Sequence, residues 1–321
     1  MSRRAEGKGH AARTVVRTVT RGLPGAAPDG RRSPRGPCHS GAVEPETLPE
    51  IPVDLPFAHV VGVTDVRRTL HVQGDPAAAH PLASVSKPIT ALGVLVAVSR
   101  GLLDLDEPAG PPGATVRHLL AHTAGYPFEG EGAVGAVGAR RIYSNTGFEV
   151  LAAHLEEATR RELADWLEET VISALDLVDL EVDGSAAAGF HGSVRDLLAI
   201  GRELLAPTLV PEELWREATS VQFPGLDGIL PGYGRQRPND WGLGVEIRGR
   251  KDPHWTGSTS SPRTFGHFGQ SGSFLWVDPE AGLAAAFLGS EPFGPAHIAA
   301  WPDLTDALLA RFSGSSTEAL K

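Results

Sequence analysis

Hydrophobic and polar positions change their period along this chain. Phe57-Ala58-His59-Val60-Val61-Gly62-Val63 is a short apolar run rich in β-branched residues, and Thr69-Leu70-His71-Val72-Gln73 alternates. Asp65-Val66-Arg67-Arg68 between them reads as a hairpin turn. From Ser86 to Ser99 the spacing switches to three and four, with Ile89, Leu92, Leu95 and Val96 on one face, which predicts a helix. Further helices are predicted at 115–122, 146–160, 161–176, 193–205 and 211–219. After Asp240 strand character returns in Trp241–Ile247, Arg263–Phe268, Ser273–Val277 and Leu283–Leu288, with the clearest turn at Asp278-Pro279-Glu280-Ala281-Gly282. An amphipathic helix from about Pro302 to Phe312 follows. Strands at both ends of a long helical block predict an α/β (α+β) fold. Its antiparallel sheet is assembled from about 50–85 and 240–321 and flanked by helices, with an all-helical lobe inserted over about 86–239. Residues 1–45, rich in Arg, Gly, Pro and Ala, lack any such period and read as a disordered basic tail before a domain spanning 46–321.

Composition narrows the functions open to such a fold. A chain of 321 residues that is 41% hydrophobic can bury a sizeable core. Residues 1–40 carry nine basic and two acidic side chains, so the rest, against an overall −10, carries −17. A body this acidic repels polyanions and argues against nucleic acid as a partner. Cys38 is the single cysteine, which excludes a disulfide within the chain. No stretch reaches the roughly 18 apolar residues of a membrane helix. Arg3-Arg4 has no apolar run behind it, so neither a general secretory nor a twin-arginine signal is read, and a cytoplasmic location is expected.

The candidate chemistry lies at three places. Ser84-Val85-Ser86-Lys87 sets a hydroxyl at the start of the first long helix with an amine at i+3 on the same face. A helix N-terminus favours developing negative charge, and a desolvated lysine becomes a usable base. Tyr143-Ser144-Asn145 follows a Gly-rich loop and opens a helix; a tyrosine there can relay the serine proton, and the Asn145 amide can meet a substrate amide. Gly266-His267-Phe268-Gly269, followed by Gln270, lies on a predicted strand whose edge can hold an extended acyl group and offer an N–H to an oxyanion. Gly130-Glu131-Gly132-Ala133-Val134-Gly135 spells a dinucleotide fingerprint, but no strand precedes it, and it reads as a flexible loop. His118 and His122 stand four apart on a predicted helix without the glutamate of a zinc peptidase motif, so structural roles are expected. No Gly-x-Ser-x-Gly is present to mark a nucleophile elbow.

Taken in order, Ser84-x-x-Lys87, Tyr143-x-Asn145 and His267-x-Gly269 resemble the three motifs of the serine β-lactamase-like superfamily, nearest to class C β-lactamases, D-alanyl-D-alanine carboxypeptidases and related esterases. Leu119-Leu120-Ala121-His122-Thr123-Ala124-Gly125 and Trp241-Gly242-Leu243-Gly244 also look like the family's text, and the similarity covers roughly 57–312. The resemblance implies Ser84 as nucleophile and Lys87 with Tyr143 sharing the general-base and general-acid roles. It further implies Asn145 in the substrate amide contact, His267 as an electrostatic aid, and an oxyanion hole from the N–H groups of Ser84 and Gln270. Class C β-lactamases usually carry lysine where His267 stands. A histidine, mostly neutral at pH 7, weakens the case for carboxylate-bearing β-lactams and favours neutral esters or amides. The family's Pro-Leu-Gly-Met box reads Ala174-Leu175-Asp176-Leu177 here, and the chain is shorter than a class C β-lactamase, which implies a more open cleft.

The expected function is therefore a serine hydrolase acting through an acyl-enzyme on small esters or D-amino-acid amides and peptides, without a metal or cofactor. A β-lactamase or D,D-carboxypeptidase is the alternative enzyme, and a non-catalytic binding protein on the same fold the alternative of another class.

Overall fold

The computed structural model describes Ile51 and residues 53–314; the basic tail expected over 1–45, with Cys38, lies outside the described residues. The chain opens with strands β1 (His59–Thr64), β2 (Thr69–Gln73) and β3 (His80–Pro81), then a 3-10 turn at Ala83–Val85 and helices α1 (Ser86–Ser99), α2 (Val116–Leu120), α3 (Asn145–Thr159) and α4 (Leu163–Leu167). Two short strands, β4 (Glu181–Val182) and β5 (Phe190–Gly192), precede helices α5 (Val194–Leu205) and α6 (Glu212–Ala218) and a small hairpin of β6 (Gly228–Leu230) and β7 (Gly234–Gln236). Strands β8 (Glu246–Ile247), β9 (Phe265–Gly269), β10 (Ser273–Asp278) and β11 (Leu283–Gly289) lead to helix α7 (Pro295–Phe312).

The main sheet is antiparallel, in the order β2-β1-β11-β10-β9-β8, so the first and last strands among the described residues, β1 and β11, pair with each other. Alternation along its central strands feeds two cores. Val61 and Val63, Phe274 and Trp276, and Ala285 and Phe287 face α7, whose Trp301, Leu304 and Leu308 complete one cluster. Val60, Leu275, Val277, Ala286 and Leu288 face the other way, toward Val194, Leu197 and Leu198 of α5 and the buried α1. A sheet covered on both faces explains why these strands read as continuous apolar runs. Helix α1 is buried from Ser86 to Ala97, all round rather than on one face, as befits a helix at the centre of a domain.

Four elements differ from the sequence expectation. The segment 86–239 is mostly helical, but it also contains β4 and β5, which pair with β3, and the β6–β7 hairpin; α5 packs on the main sheet. Trp241–Ile247 is a strand only at Glu246–Ile247. Gly242 N–H donates to the Val245 carbonyl at 2.9 Å and Gly244 turns at φ +81°, which folds the segment into a loop. The helix expected at 161–176 loosens after α4 into π and 3-10 turns and stops at Asp176 in the left-handed region. Helix α7 begins at Pro295, not Pro302. Pro295 occupies a helix start where its missing N–H is harmless, and Pro302 is carried inside. No helix among the described residues is long and apolar enough to cross a membrane.

Candidate active site

Ser84 sits in the 3-10 turn between β3 and α1, nearly buried at 8% exposure. Ala83 before it adopts φ +45°, a left-handed conformation that costs a non-glycine residue about 1–2 kcal/mol. Neighbouring strands hold this turn in place: Leu82 N–H donates to Phe190 O at 2.8 Å, and Ser273 Oγ donates to Leu82 O at 2.8 Å. Gly269 ends β9 against the same turn; a Cβ there would collide with the Leu82 carbonyl and Ser273 Oγ, so no other residue permits this approach. Its tight packing brings the following residue, Gln270, into the cavity that contains Ser84.

One turn into α1, the Lys87 amine is fully buried. Its Nζ lies 3.3 Å from Ser84 Oγ, 2.7 Å from Asn145 Oδ1 and 2.9 Å from the Ala187 carbonyl. As an ammonium it donates to all three. As a neutral amine it can keep the Asn145 and Ala187 bonds and turn its lone pair to the Ser84 hydroxyl. Burial favours the neutral form and lowers the pKa from 10.5 to about 7, against an opposing pull from the Glu149 carboxylate.

Tyr143 and His267 close the opposite side. The Tyr143 hydroxyl lies 3.2 Å from His267 Nε2, and Ser84 lines the same cavity as the phenol. His267 Nδ1 stands 2.6 Å from the Phe268 carbonyl, which can only accept, so Nδ1 carries the proton and Nε2 accepts from Tyr143 O–H. Burial, aided by the charge of Lys87, takes the imidazole down to about 3, so it is neutral at pH 7. Burial also pushes the Tyr143 phenol well above its ordinary value, with the Ser84 contact opposing, so the phenol stays protonated. Trp241 packs edge-on to His267 with ring centroids 5.4 Å apart and lines the same cavity.

Asn145 is the first residue of α3 rather than its N-cap. Ser144 caps the helix by accepting from Gly147 N–H at 2.8 Å, which leaves the Asn145 side chain free to meet Lys87 and, through Nδ2 at 3.4 Å, Glu129. The sequence reading missed Glu149, one helical turn on. It accepts from Ala187 N–H at 3.2 Å, fixing the segment whose carbonyl receives Lys87. The i, i+4 spacing from Asn145 was the available signal. Glu246 was also missed. Though 2% exposed, it holds Lys251 Nζ at 2.7 Å, His254 Nε2 at 2.9 Å and Trp255 Nε1 at 2.6 Å. Burial pushes the Glu246 carboxyl up, but Lys251 and His254 outweigh it and hold it well below the usual carboxylate range. Its backbone pairs with Gly266, next to His267, so this ion network anchors that edge of the site.

The sequence-named residues thus come together: a cavity of about 430 Å³ is lined by Ser84, Tyr143, Trp241, His267 and Gln270, with Lys87 and Asn145 behind Ser84. His118 and His122 do not share a helical face, because α2 ends at Leu120 and His122 turns at φ +56°. His118 bonds Thr115 and stacks on Phe223, while His122 Nδ1 accepts from Ser144 N–H at 3.2 Å beneath Tyr143. Gly130–Gly135 lies in the irregular segment between α2 and α3, and no strand precedes it there.

A family model described as Beta-lactamase matches residues 56–309. Penicillin-binding protein 4* of Bacillus subtilis (strain 168) is 31% identical over an alignment that covers 28% of this chain and 27% of that protein, so the chain spans about a quarter of that relative. Among solved structures, a beta-lactamase from Mycobacterium bovis is 48% identical, with TM-score 0.79 over 82% of this chain and 96% of that one. Two more distant structures share the fold. A D-stereospecific amidohydrolase from a Streptomyces species is 20% identical, with TM-score 0.62 over 82% and 95% of the two chains. A simvastatin synthase mutant from Aspergillus terreus is 17% identical, with TM-score 0.66 over 80% and 91%.

Proposed function

The chain belongs to the Beta-lactamase family, and from that premise we propose that it is a serine hydrolase working through an acyl-enzyme on Ser84, with carboxylic esters or D-amino-acid amides and peptides as substrates. The observation that carries this reading is the Lys87 amine, buried, 3.3 Å from Ser84 Oγ and lowered to about 7. Neutral Lys87 takes the proton as Ser84 attacks the carbonyl. The tetrahedral oxyanion is met by the N–H groups of Ser84 and Gln270. The proton taken up by Lys87 is passed on to the leaving group through the Tyr143 phenol, which regains the proton it gives. Water then attacks the acyl carbonyl and gives its proton to Lys87, and that proton returns to Ser84 Oγ as the acid departs.

His267 supports the choice of neutral substrates. A neutral imidazole whose Nδ1 proton is bound to Phe268 O and whose Nε2 accepts from Tyr143 offers no cation to a substrate carboxylate on β9. The M. bovis relative's description as a beta-lactamase keeps β-lactam hydrolysis as the second reading. A p-nitrophenyl ester and a chromogenic cephalosporin separate the two. Ester turnover is expected to exceed cephalosporin turnover, and a fluorophosphonate is expected to leave a single adduct that peptide mass spectrometry maps to Ser84. Turnover of the cephalosporin alone establishes the second reading; no adduct and no turnover of either compound leaves a non-catalytic binding protein.

The pH dependence follows from the same amine. Lys87 acts when unprotonated, so kcat/KM for the ester is expected to be low in acid, to climb through a midpoint near pH 7 and to level above it. A profile flat from pH 5 to 9 contradicts a lysine base.

A further inference from the structure

A second cavity, of about 520 Å³, adjoins the Ser84 cavity; the two share Phe128, Tyr143 and Pro231 as walls. The outer one is not lined by Ser84, His267 or Gln270 and has a chemistry of its own. Phe128 and Ile229 line it and are 48% and 67% exposed, which gives it an apolar wall open to solvent. Arg140, Arg141 and Arg235 line it against one carboxylate, Asp227, which already holds Arg235 at 2.6 Å and Arg237 at 3.3 Å. The buried Arg141 guanidinium is bonded to the carbonyls of Ala121, Asn239, Gln222 and Phe223 and feels the opposite charge of Asp240. The cations free to meet a ligand are therefore Arg140 and the half of the Asp227 cluster that one carboxylate does not balance. Arg140 is exposed and has no ion-pair partner among the described residues. An excess of positive charge therefore gathers in one apolar hollow of a body that is otherwise strongly acidic.

We propose that this outer cavity is a subsite for a carboxylate carried at the far end of an apolar portion of the substrate, with Arg140 and Arg235 reading the charge and Phe128 and Ile229 covering the stem. The inference rests on the hydrolase reading and extends it. The neutral strand beside His267 has no cation for a carboxylate near the scissile bond, and the cations stand one cavity further out. Arginine suits the task because its planar fork donates two parallel hydrogen bonds to a carboxylate. The carboxylate can belong to the acyl group or to the leaving group, and substrates carrying it on either side tell these apart.

The test compares mono-p-nitrophenyl adipate with p-nitrophenyl hexanoate, for an acyl-side carboxylate, and 4-acetoxybenzoate with phenyl acetate, for a leaving-side one. Each pair is run on wild type, Arg140→Gln, Arg235→Gln and the double variant. Wild type is expected to prefer the anionic member of one pair in kcat/KM. The double variant is expected to lower that preference about tenfold through KM, with partial retention in Arg140→Lys/Arg235→Lys and weakening at high salt. Titration calorimetry of the unreacted adipate and hexanoate esters, and of the second pair, into Ser84→Ala reads the same preference without turnover. If wild type hydrolyses none of the esters, the hydrolase reading fails, and calorimetry still decides the subsite. If no anionic preference exists in either pair, or if it survives the double variant, the subsite is refuted.

Discussion

Ser84→Ala and Lys87→Met are each expected to lower kcat/KM for a p-nitrophenyl ester by at least about a thousandfold. The double variant is expected to be no slower than the slower single. One variant removes the proposed nucleophile and the other the amine that takes its proton, and groups that act as a unit lose their effect together rather than additively. Methionine is chosen at 87 because the pocket around the amine is closed, so an unbranched side chain of similar length fills it. Stability supplies an independent reading. Folding lowers the Lys87 pKa from 10.5 to about 7, so between those values the unfolded chain binds a proton that the folded chain does not. Stability from this group is full above the unfolded value and is lost as pH falls toward 7. The Lys87 share of that slope should be missing in Lys87→Met. Its gain in stability from pH 7 to pH 10, measured by urea unfolding, is therefore expected to be smaller than that of wild type, with the buried Lys251 retaining a share of its own. A Lys87→Met variant that keeps wild-type turnover would show that the amine is not the base.

Glu246→Ala is expected to destabilise the fold by about 3–5 kcal/mol, the usual consequence of removing one partner of a buried ion pair. Lys251, with a side chain at 0% exposure, and the indole N–H of Trp255 would lose their carboxylate partner. A fall in melting temperature of roughly 6–20 °C corresponds to that loss in a chain of this size. Replacing the pair together, as Glu246→Leu with Lys251→Met, is expected to recover much of it, because apolar residues of similar volume avoid the desolvation cost altogether. A melting temperature unchanged in Glu246→Ala would mean that the network does not anchor the β8 edge of the site.

Much of the candidate site was legible because its parts are local. Ser84 and Lys87 are one helical turn apart, and Tyr143 and Asn145 flank a cap; both spacings follow from helix geometry alone. Gly269 was legible as a residue of interest but not for its reason, since the carbonyl it makes room for belongs to Leu82, far away in sequence. Glu246 gave no signal. An isolated glutamate on a predicted strand ordinarily faces solvent, and only the chain's return through Lys251, His254 and Trp255 makes it a buried anion. The loop at Trp241–Val245 and the early start of α7 were misread for a related cause: a left-handed glycine and an internal proline carry different meanings in different surroundings.

By itself the sequence determined the order of the main-sheet strands and the longer helices, the antiparallel α+β layout and the set of polar residues that could meet, because periodicity and short spacings are properties of a few consecutive residues. The tertiary structure alone decided the charge states. Lys87 and His267 lose their ordinary affinity for protons because the fold removes water from them, and the protonated nitrogen of His267 is chosen by a carbonyl 2.6 Å away. Solvation and hydrogen-bond partners depend on what surrounds a residue in space, and those surroundings come from segments of the chain that are remote in sequence.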